Sequence, residues 1–288
     1  MGPARPKQRA RSIPGGRSPS SPEFPWWLAA MGLLVAYAFA QALGDAQQAQ
    51  VLSTLSRGIG ITLMVTATAF TGASLLGLLL ALGTLSRFTA VRQFVRFYVE
   101  LIRGIPIIVL LLYIAFAGVP LLVEGWNWIA GQFGLGEVRT RDVSLLWRAV
   151  AALILAYSAF LAEVFRAGIV SIAPGQVEAA KALGLNGWQR FRLIIAPQAL
   201  RVVLPPFGND FIAMLKDSSL VSVLGVTDIT QLGKIAAAGN FRYFETYNLV
   251  ALIYLSMTVT LSVALRQLEH RLRWRDRPGS GEAKGGQI

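Results

Sequence analysis

Six apolar runs, each close to the length that crosses a lipid bilayer, limit most strongly how this chain can fold. An α-helix rises about 1.5 Å per residue, so about 20 residues cross a hydrocarbon core of about 30 Å. Because backbone groups inside lipid must be hydrogen-bonded within the protein, such runs predict an all-α integral membrane protein with about six transmembrane helices. The runs cover residues 26–43, 58–83, 105–123, 145–165, a charge-interrupted stretch within 200–226, and 247–265.

The composition agrees with this class and excludes several kinds of chemistry. Of the 288 residues, 54% are hydrophobic and 15% are charged, whereas soluble domains carry roughly 25% charged residues. The chain has no Cys, which excludes disulfides and thiolate chemistry. His270 is the single His, so a His-dependent catalytic triad and a His-rich metal site are excluded, and we expect no metal site.

The positive charges are distributed unevenly along the chain, whose net charge is +12. One set of alternate connections, which includes both tails, holds twenty Lys and Arg residues, and the other set holds six. Because basic residues are retained on the cytoplasmic side of a membrane, both termini and the 174–197 segment are predicted to be cytoplasmic. No nucleic-acid partner is expected, since no RNA- or DNA-binding motif accompanies the charge.

The two ends of the chain differ from its middle. Residues 1–25 are basic and rich in Pro, Ser and Gly, which predicts a disordered cytoplasmic tail. The run at 26–43 is interpreted as an uncleaved transmembrane anchor, although Ala36, Ala38 and Ala40 leave a cleaved signal peptide open. Residues 272–288 are predicted to form a second basic, disordered tail.

The 174–197 segment is polar, although it lies between apolar runs. Pro174 suits the first position of a helix, and Glu178 is predicted to fall in its first turn, near the positive end of the helix dipole. Gly184 is predicted to end this helix, Asn186 and Gly187 to form a turn, and residues 188–195 to form a second short helix. Such a pair of helices could dock a cytoplasmic partner; a plain surface helix is an equally good interpretation of these residues alone.

The spacing within this segment resembles the EAA loop of permease subunits in type I ABC importers. Three other segments, at 98–106, 160–168 and 214–225, resemble the polar amino-acid subfamily, so that the similarity covers residues 51–271. Ala196 departs from the loop pattern, which has Leu there. The resemblance assigns contact with an ATPase to Glu178, Ala179, Ala180, Gly184, Ile194 and Pro197.

The resemblance implies a five-helix importer core, at 51–271, preceded by one extra N-terminal span. It implies a bacterial inner-membrane permease subunit for polar amino acids, paired with a second permease subunit that is identical or homologous. A cytoplasmic ATPase dimer would bind ATP and Mg, and an extracytoplasmic amino-acid-binding protein would deliver the substrate. The chain itself is expected to bind no cofactor and to be no enzyme, because it lacks the Gly-x-x-x-x-Gly-Lys-Ser/Thr phosphate loop.

Charges interrupt the fifth run. Lys216 and Asp217 fall inside an apolar region, where a charge that faced lipid would cost roughly 2.5–3.5 kcal/mol. On a continuous helix Asp210, Met214 and Asp217 share one stripe, with Ser218 beside it. The candidate substrate path therefore comprises Asp210, Met214, Lys216, Asp217 and Ser218. A polar network that only holds helices together, or a misplaced end of the span, remains an alternative.

Two further pairs of opposite charge have the three-residue spacing of helical ion pairs, and both are interpreted as structural. They are Glu100 with Arg103 and Glu163 with Arg166. Two other functions are kept as alternatives to the importer: an ion-driven secondary amino-acid transporter, and a membrane scaffold that transports nothing. The first predicts paired broken helices with charges in both halves of the chain, and the second predicts that changes at Lys216 or Asp217 leave uptake unaltered.

Overall fold

A computed structural model of the protein describes residues 26–274, and every regular element within them is helical. The predicted tail at 1–25 lies outside these residues, as does all but the first three residues of the tail at 272–288. The helices of the first half are α1 (Trp26–Gly44), α2 (Ala46–Thr84), α3 (Thr89–Arg103), α4 (Ile107–Tyr113), a π-helical turn (Ile114–Gly118), α5 (Val119–Phe133) and a 3₁₀ turn (Thr140–Asp142). Those of the second half are α6 (Leu145–Val170), α7 (Pro174–Ala182), α8 (Gly187–Arg190), a π-helical turn (Phe191–Ile195), α9 (Ala196–Asp217), a 3₁₀ helix (Ser218–Leu224), α10 (Ile229–Asn240) and α11 (Tyr243–Trp274).

The number of spans agrees with the prediction of about six, and the all-α membrane fold is confirmed. Within the described residues five helices are long and apolar enough to cross a membrane, and a bent helix pair makes a sixth. The five are Trp26–Gly44, Ala46–Thr84, Ile107–Phe133, Leu145–Val170 and Tyr243–Glu269. The sixth joins Gly187–Leu224 to Ile229–Asn240, with a bend of 51° between them.

Helix α2 and the third span both extend well beyond the apolar runs that predicted them. Helix α2 begins at Ala46, because Asp45 caps it by accepting hydrogen bonds from the N–H groups of Gln47 (2.8 Å) and Gln48 (3.3 Å). The third span continues to Phe133 through the π-helical turn at Ile114–Gly118. The wider turn precedes Pro120, which has no N–H to donate to the turn below it.

Proline disfavours the interior of a helix, yet α9 continues through both Pro205 and Pro206. The interruption comes 19 residues later, at Gly225, whose φ of +78° lies in the left-handed region. Gly225 ends the 3₁₀ helix and turns the chain toward α10. The polar part of this span therefore stands just before the bend, at the end of a continuous helix.

Small residues bring α2, α6 and α9 into close contact at the centre of the fold. A Cβ atom added to Gly77 of α2 would lie 2.9 Å from the Cβ of Leu161 on α6. One added to Gly168 of α6 would lie 2.3 Å from a methyl of Val203 on α9. Packing of backbone against backbone, which small residues permit, is what associates helices in lipid.

The N-terminal end of α6 is held by a buried guanidinium. Arg148 is 8% exposed and donates hydrogen bonds to the carbonyl oxygens of Val143 (2.9 Å) and Ala115 (2.9 Å), and to that of Thr140. Ala115 lies in the π-helical turn, where the regular hydrogen-bond ladder is disturbed. Arg148 therefore joins the turn after α4 to the segment that leads into α6.

The cap of α2 predicts a pH dependence of stability. Hydrogen bonds from the N–H groups of Gln48 and Gln47, and the nearby charge of Arg242, hold the pKa of Asp45 below its ordinary value of 3.8. A carboxyl with a lowered pKa stabilises the folded state above that ordinary value, and this stabilisation is lost as the pH falls through the pKa of the folded state. We expect Asp45→Asn to lower the midpoint of thermal unfolding in detergent at neutral pH, and the difference from wild type to shrink at about pH 3.

Glu137→Gln, which removes a carboxylate from an exposed loop, is the control for that measurement. It should leave the midpoint of thermal unfolding unchanged at both pH values. A difference between Asp45→Asn and wild type that stays constant from neutral to acid pH would mean that the charge of Asp45 does not stabilise the fold.

Candidate functional site

The 174–197 segment begins with a helix whose end is closed by a glycine. Gly184 has a φ of +76°, its N–H donates to Lys181 O (2.9 Å), and the N–H of Leu185 donates to Ala180 O (3.1 Å). This pair of hydrogen bonds is the Schellman arrangement, which satisfies the last carbonyl groups of a helix. The predicted end of α7 at Gly184 agrees with the structure.

The second half of the segment differs from the prediction, because no separate short helix covers 188–195. Asn186 caps α8 through reciprocal hydrogen bonds with Gln189, both of 2.9 Å. From there the chain passes through the π-helical turn directly into α9. Pro197 explains the turn, because its ring and missing N–H do not fit an ordinary α-helical turn. The segment is therefore one short helix followed by the beginning of a long one.

Gln198 connects these two helices. Its Nε2 donates to the side-chain oxygen of Gln176 on α7 (2.6 Å) and to the carbonyl oxygen of Ile194 (2.9 Å). The side-chain amide thus spans the gap between α7 and the helix that continues into α9. Gln198 therefore links α7 to the start of α9 by a side-chain hydrogen bond.

The six residues that the sequence assigned to contact with an ATPase are not all on the surface. Glu178 is the fifth residue of α7, beyond its first turn, so its carboxylate does not act on the helix N-terminus as predicted. Ala180 is 3% exposed and packs inside, and Ile194 is half-buried. The exposed members are Glu178, Ala179, Gly184 and Pro197.

Three large apolar side chains stand exposed on the same segment and were missed by the sequence interpretation. Leu183 is 80% exposed, Trp188 is 67% exposed and Leu193 is 59% exposed. Trp188 stacks on Phe191, with ring centroids 5.9 Å apart. Apolar residues of this size at the ends of polar helices are the signal that could have revealed them.

A hydrogen-bonded pair of side chains lies at the C-terminal end of α9. Tyr157 of α6, which is 3% exposed, donates from its hydroxyl to Asp217 Oδ2 at 2.7 Å. Asp210, Met214 and Asp217 lie on one stripe of the continuous helix, and Met214 is fully buried. Asp210 Oδ2 is a buried oxygen without a hydrogen-bond partner among the described residues. Two carboxylates and a phenol are thus brought to the contact of α6 with α9.

The other two members of the predicted path are placed differently. Lys216 is exposed, on a side of α9 other than that of Asp217. Ser218 is fully buried, and its hydroxyl donates to the carbonyl oxygen of Leu215 at 2.7 Å. Tyr157, which the sequence interpretation did not include, replaces them beside Asp217.

The two predicted ion pairs differ from each other. Arg166 Nη2 lies 2.6 Å from Glu163 Oε2 on α6. Glu100 and Arg103 make no ion pair with each other, although both belong to the described part of the chain. Arg103 is the last residue of α3, and its guanidinium lies over the ring of Phe160 on α6, 5.7 Å from the centroid.

The bend between the two halves of the broken span is fixed by a buried acid. Asp228 is fully buried; its Oδ1 accepts from the N–H of Gln231 (2.8 Å), and its Oδ2 accepts from the hydroxyl of Tyr254 on α11 (3.1 Å). The Tyr254 hydroxyl also lies 3.2 Å from Thr230 Oγ1. Asp followed three residues later by Gln is a helix-start signal in the sequence, and it could have predicted this cap.

The same end of α10 touches α2 backbone to backbone. The N–H of Ile229 donates to Thr62 Oγ1 at 3.4 Å. A Cβ atom at Gly58 would lie 2.5 Å from the Ile229 nitrogen, so no larger residue fits there. The bend is therefore attached to α2 and to α11. No cluster of three metal-ligating side chains occurs among the residues that the structure describes.

Comparisons with known proteins agree on one family. The family model of the inner-membrane component of binding-protein-dependent transport systems matches residues 73–274. The probable amino-acid permease protein YxeN of Bacillus subtilis (strain 168) is 36% identical over 210 residues, which cover 73% of this chain and 87% of the relative. The glutamine transport system permease protein GlnP of Escherichia coli (strain K12) is 35% identical over 219 residues, which cover 76% of this chain and 93% of the relative.

Solved structures agree with the sequence relatives. A crystal structure of an amino acid ABC transporter with histidines matches with a TM-score of 0.64 and 37% identity, covering 76% of this chain and 94% of that one. An inward-facing structure of the MetNI methionine ABC transporter matches with a TM-score of 0.59, covering 76% of this chain and 96% of that one; at 18% identity it shows the fold alone. This chain therefore belongs to the family of inner-membrane components of binding-protein-dependent transport systems, and its fold is that of the ABC importer permeases.

Proposed function

We propose that this chain forms, together with a second permease subunit, the membrane path for ATP-driven import of a polar amino acid. The partner permease is identical or homologous. A cytoplasmic ATPase dimer binds the 174–197 segment, and an extracytoplasmic binding protein delivers the substrate. The relatives named for glutamine and for other amino acids support this substrate class. In this proposal the chain is a multi-pass protein of the bacterial inner membrane with both termini in the cytoplasm.

The observation that carries the proposal is the construction of the 174–197 segment. Its outer surface combines exposed apolar side chains, Leu183 and Trp188, with the carboxylate of Glu178. Apolar anchors beside a charge are typical of protein interfaces. Through Gln198 and the π-helical turn, this surface is continuous with α9.

The proposed mechanism transmits motion of the ATPase along α9. ATP and Mg are bound by the partner and supply the free energy. When the ATPase dimer closes, it displaces α7, and the hydrogen bonds of Gln198 pass the displacement to α9. Asp217 and the bend at Gly225 then move relative to α6 and α10. The carboxylates of Asp210 and Asp217 suit the ammonium group of an amino acid, and Tyr157 holds Asp217 in position.

The experiment that tests the proposal is affinity purification of the chain from its native membrane in mild detergent, followed by an ATPase assay and identification of the bound proteins. A bound ATPase that is lost when Leu183 and Trp188 are both changed to Ser supports the proposal. A preparation without an ATPase, which nevertheless takes up amino acids on an ion gradient, would replace it by the secondary transporter. A preparation that binds a partner but transports nothing would favour the scaffold.

Removing the hydrogen bond between Tyr157 and Asp217, at the C-terminal end of α9, is expected to reduce uptake selectively. Tyr157→Phe removes the donor to Asp217 and leaves a carboxylate without its partner, at a cost of about 1.5–3 kcal/mol for a hydrogen bond to a charged group. We expect uptake by reconstituted transporter to fall by about tenfold, while ATPase binding is retained. Asp217→Asn should act in the same direction.

Tyr113→Phe is the matched control, because it deletes the same hydroxyl from a tyrosine that is 59% exposed on α4. It should transport as wild type does. Unchanged uptake kinetics in Tyr157→Phe and Asp217→Asn would assign this pair to helix packing and would remove it from the proposed path.

A further inference from the structure

Helix α3 carries a stripe of polar side chains from its second turn to its last residue. Gln93, Arg96, Glu100 and Arg103 are all exposed, and their spacing of three, four and three residues places them on one face of the helix. We call these four residues the polar stripe of α3. A stripe of this kind faces water or a protein partner, because lipid does not solvate charged groups.

The other two faces of α3 are apolar and differ in exposure. One face is buried against α2 and α6, and the other is exposed. An exposed apolar face on a membrane helix is the face that meets lipid, so the polar stripe points elsewhere. The buried face consists of Val95, Val99 and Ile102, and the exposed apolar face consists of Phe94, Phe97 and Leu101.

Contacts with neighbouring helices show that α3 enters the membrane and does not lie on its surface. Midway along α3, Val95 packs against Gly83, the second-last residue of α2. Further along, the hydroxyl of Tyr98 donates to the carbonyl oxygen of Leu155 (3.1 Å) and lies 2.9 Å from the Ser158 hydroxyl. Both residues stand in the middle of α6. The polar stripe therefore runs from the end of one span to the interior of another.

The depth of the Arg103 guanidinium in the membrane follows from the position of the Phe160 ring, over which it lies. Its guanidinium lies 5.7 Å from the ring centroid of Phe160. Trp147, which is 54% exposed, marks the membrane interface at the other end of α6. Phe160 lies about 20 Å along the helix axis from Trp147, which is about 10 Å short of the far edge of a 30 Å hydrocarbon core. Arg103 is thus exposed at a depth where only water or protein can contact it.

A half-exposed ion pair lies near Arg103. Glu163 and Arg166 of α6 form their ion pair with side chains that are 34% and 41% exposed. Arg103 lies over Phe160, which precedes Glu163 by three residues and so shares its face of α6. Arg166 already has a carboxylate at 2.6 Å, whereas Arg103 has none within ion-pair distance among the described residues.

We propose that the polar stripe of α3, with Glu163 and Arg166, lines a water-filled half of the translocation path, and that Arg103 binds the carboxylate of the passing amino acid. This is the half next to the 174–197 segment, and the inference rests on the proposed function. The guanidinium of Arg presents two parallel N–H groups to a carboxylate. A guanidinium that is held over an aromatic ring and has no carboxylate partner among the described residues is free to bind the carboxylate of a solute.

The absence of Cys from the chain allows a direct test by single-cysteine labelling. The complete transporter, in inside-out membrane vesicles, is treated with a charged, membrane-impermeant methanethiosulfonate. Arg96→Cys, Glu100→Cys and Arg103→Cys should react at least about tenfold faster than Phe94→Cys, Phe97→Cys and Leu101→Cys, because only a thiol in water forms the reactive thiolate. The two sets lie on the same helix, so the apolar positions are matched controls.

Equal rates at the two sets would overturn the proposal, as would protection of the polar set. If the polar set is protected and instead cross-links to a second copy of the chain or to the partner permease, the stripe is a subunit interface and not a wall of the path. The labelling needs no transport, so its outcome does not depend on whether amino acids are the substrate.

The role of Arg103 is tested by the charge of the reagent. Glu100→Cys is labelled by an anionic and a cationic methanethiosulfonate, with Arg103 present and with Arg103→Gln. A unit charge at about 7 Å in water changes each rate about threefold, so the ratio of anionic to cationic rates should fall by about eightfold in Arg103→Gln. Arg103→Lys, which retains the charge, should keep the ratio. An unchanged ratio in Arg103→Gln would show that the guanidinium does not face the solute.

Discussion

Replacing Gly58 by alanine is expected to abolish transport and to destabilise the protein. The added Cβ would lie 2.5 Å from the nitrogen and 2.8 Å from the Cα of Ile229. These are backbone atoms, so they cannot rotate away as the end of a side chain could. Helix α10 must then move off α2 and lose the hydrogen bond from Ile229 to Thr62. Overpacking of this kind costs about 1–3 kcal/mol, and the bend that it displaces belongs to the proposed path.

Gly60→Ala is the control for this prediction. Gly60 lies two residues away on the same helix, and a Cβ there meets nothing within 4 Å. It should transport normally and unfold at the wild-type temperature or slightly above it, because alanine favours helix over glycine. Uptake in proteoliposomes and thermal unfolding in detergent are the two measurements. Wild-type behaviour of Gly58→Ala in both would mean that α10 does not pack on α2 in the working transporter.

Glu178→Lys is expected to uncouple ATP hydrolysis from uptake without unfolding the chain. Glu178 is exposed on α7 and makes no ion pair within the described residues, so its replacement leaves the fold intact. It reverses the charge on the surface that is proposed to bind the ATPase. Buried charged contacts at interfaces change affinity by about 2–5 kcal/mol when one partner is lost, so uptake should fall by at least about tenfold.

Glu124→Lys, which makes the same change of charge at an exposed position of α5, is the control. ATPase activity and uptake are measured on the same reconstituted complex, so that coupling is obtained as their ratio. If Glu178→Lys retains the wild-type ratio, the carboxylate lies outside the contact. The assignment would then pass to the apolar surface of Leu183 and Trp188.

The sequence predicted those parts of the fold that depend on local composition. Apolar length predicted the spans, and the glycine at position 184 predicted the end of α7, because both signals act within a few residues. The continuity of α9 through Pro205 and Pro206 was not predictable in the same way. Proline disfavours a helix locally, whereas the surrounding helices α2, α6 and α11 hold α9 in place.

The sites were predictable only in part, for a similar reason. The stripe of Asp210 and Asp217 follows from helical periodicity, but their neighbour Tyr157 lies 60 residues from Asp217 in the chain. The contact of Gly58 and Thr62 with Ile229 joins residues still further apart. Periodicity reports which face a residue occupies, and it does not report which helix lies opposite that face.

Because α9 is unbroken through its prolines, a small rotation at one end of the helix produces a large displacement at the other end. From Pro197 to Asp217 the helix measures about 30 Å at 1.5 Å per residue. A tilt of only about 5° at the proline end would carry Asp217 sideways by about 2.6 Å over that length. That distance is comparable to the 2.7 Å hydrogen bond that holds Asp217 to Tyr157. If α9 moves as one body over this length, a slight rotation at the surface makes or breaks a single hydrogen bond in the membrane interior.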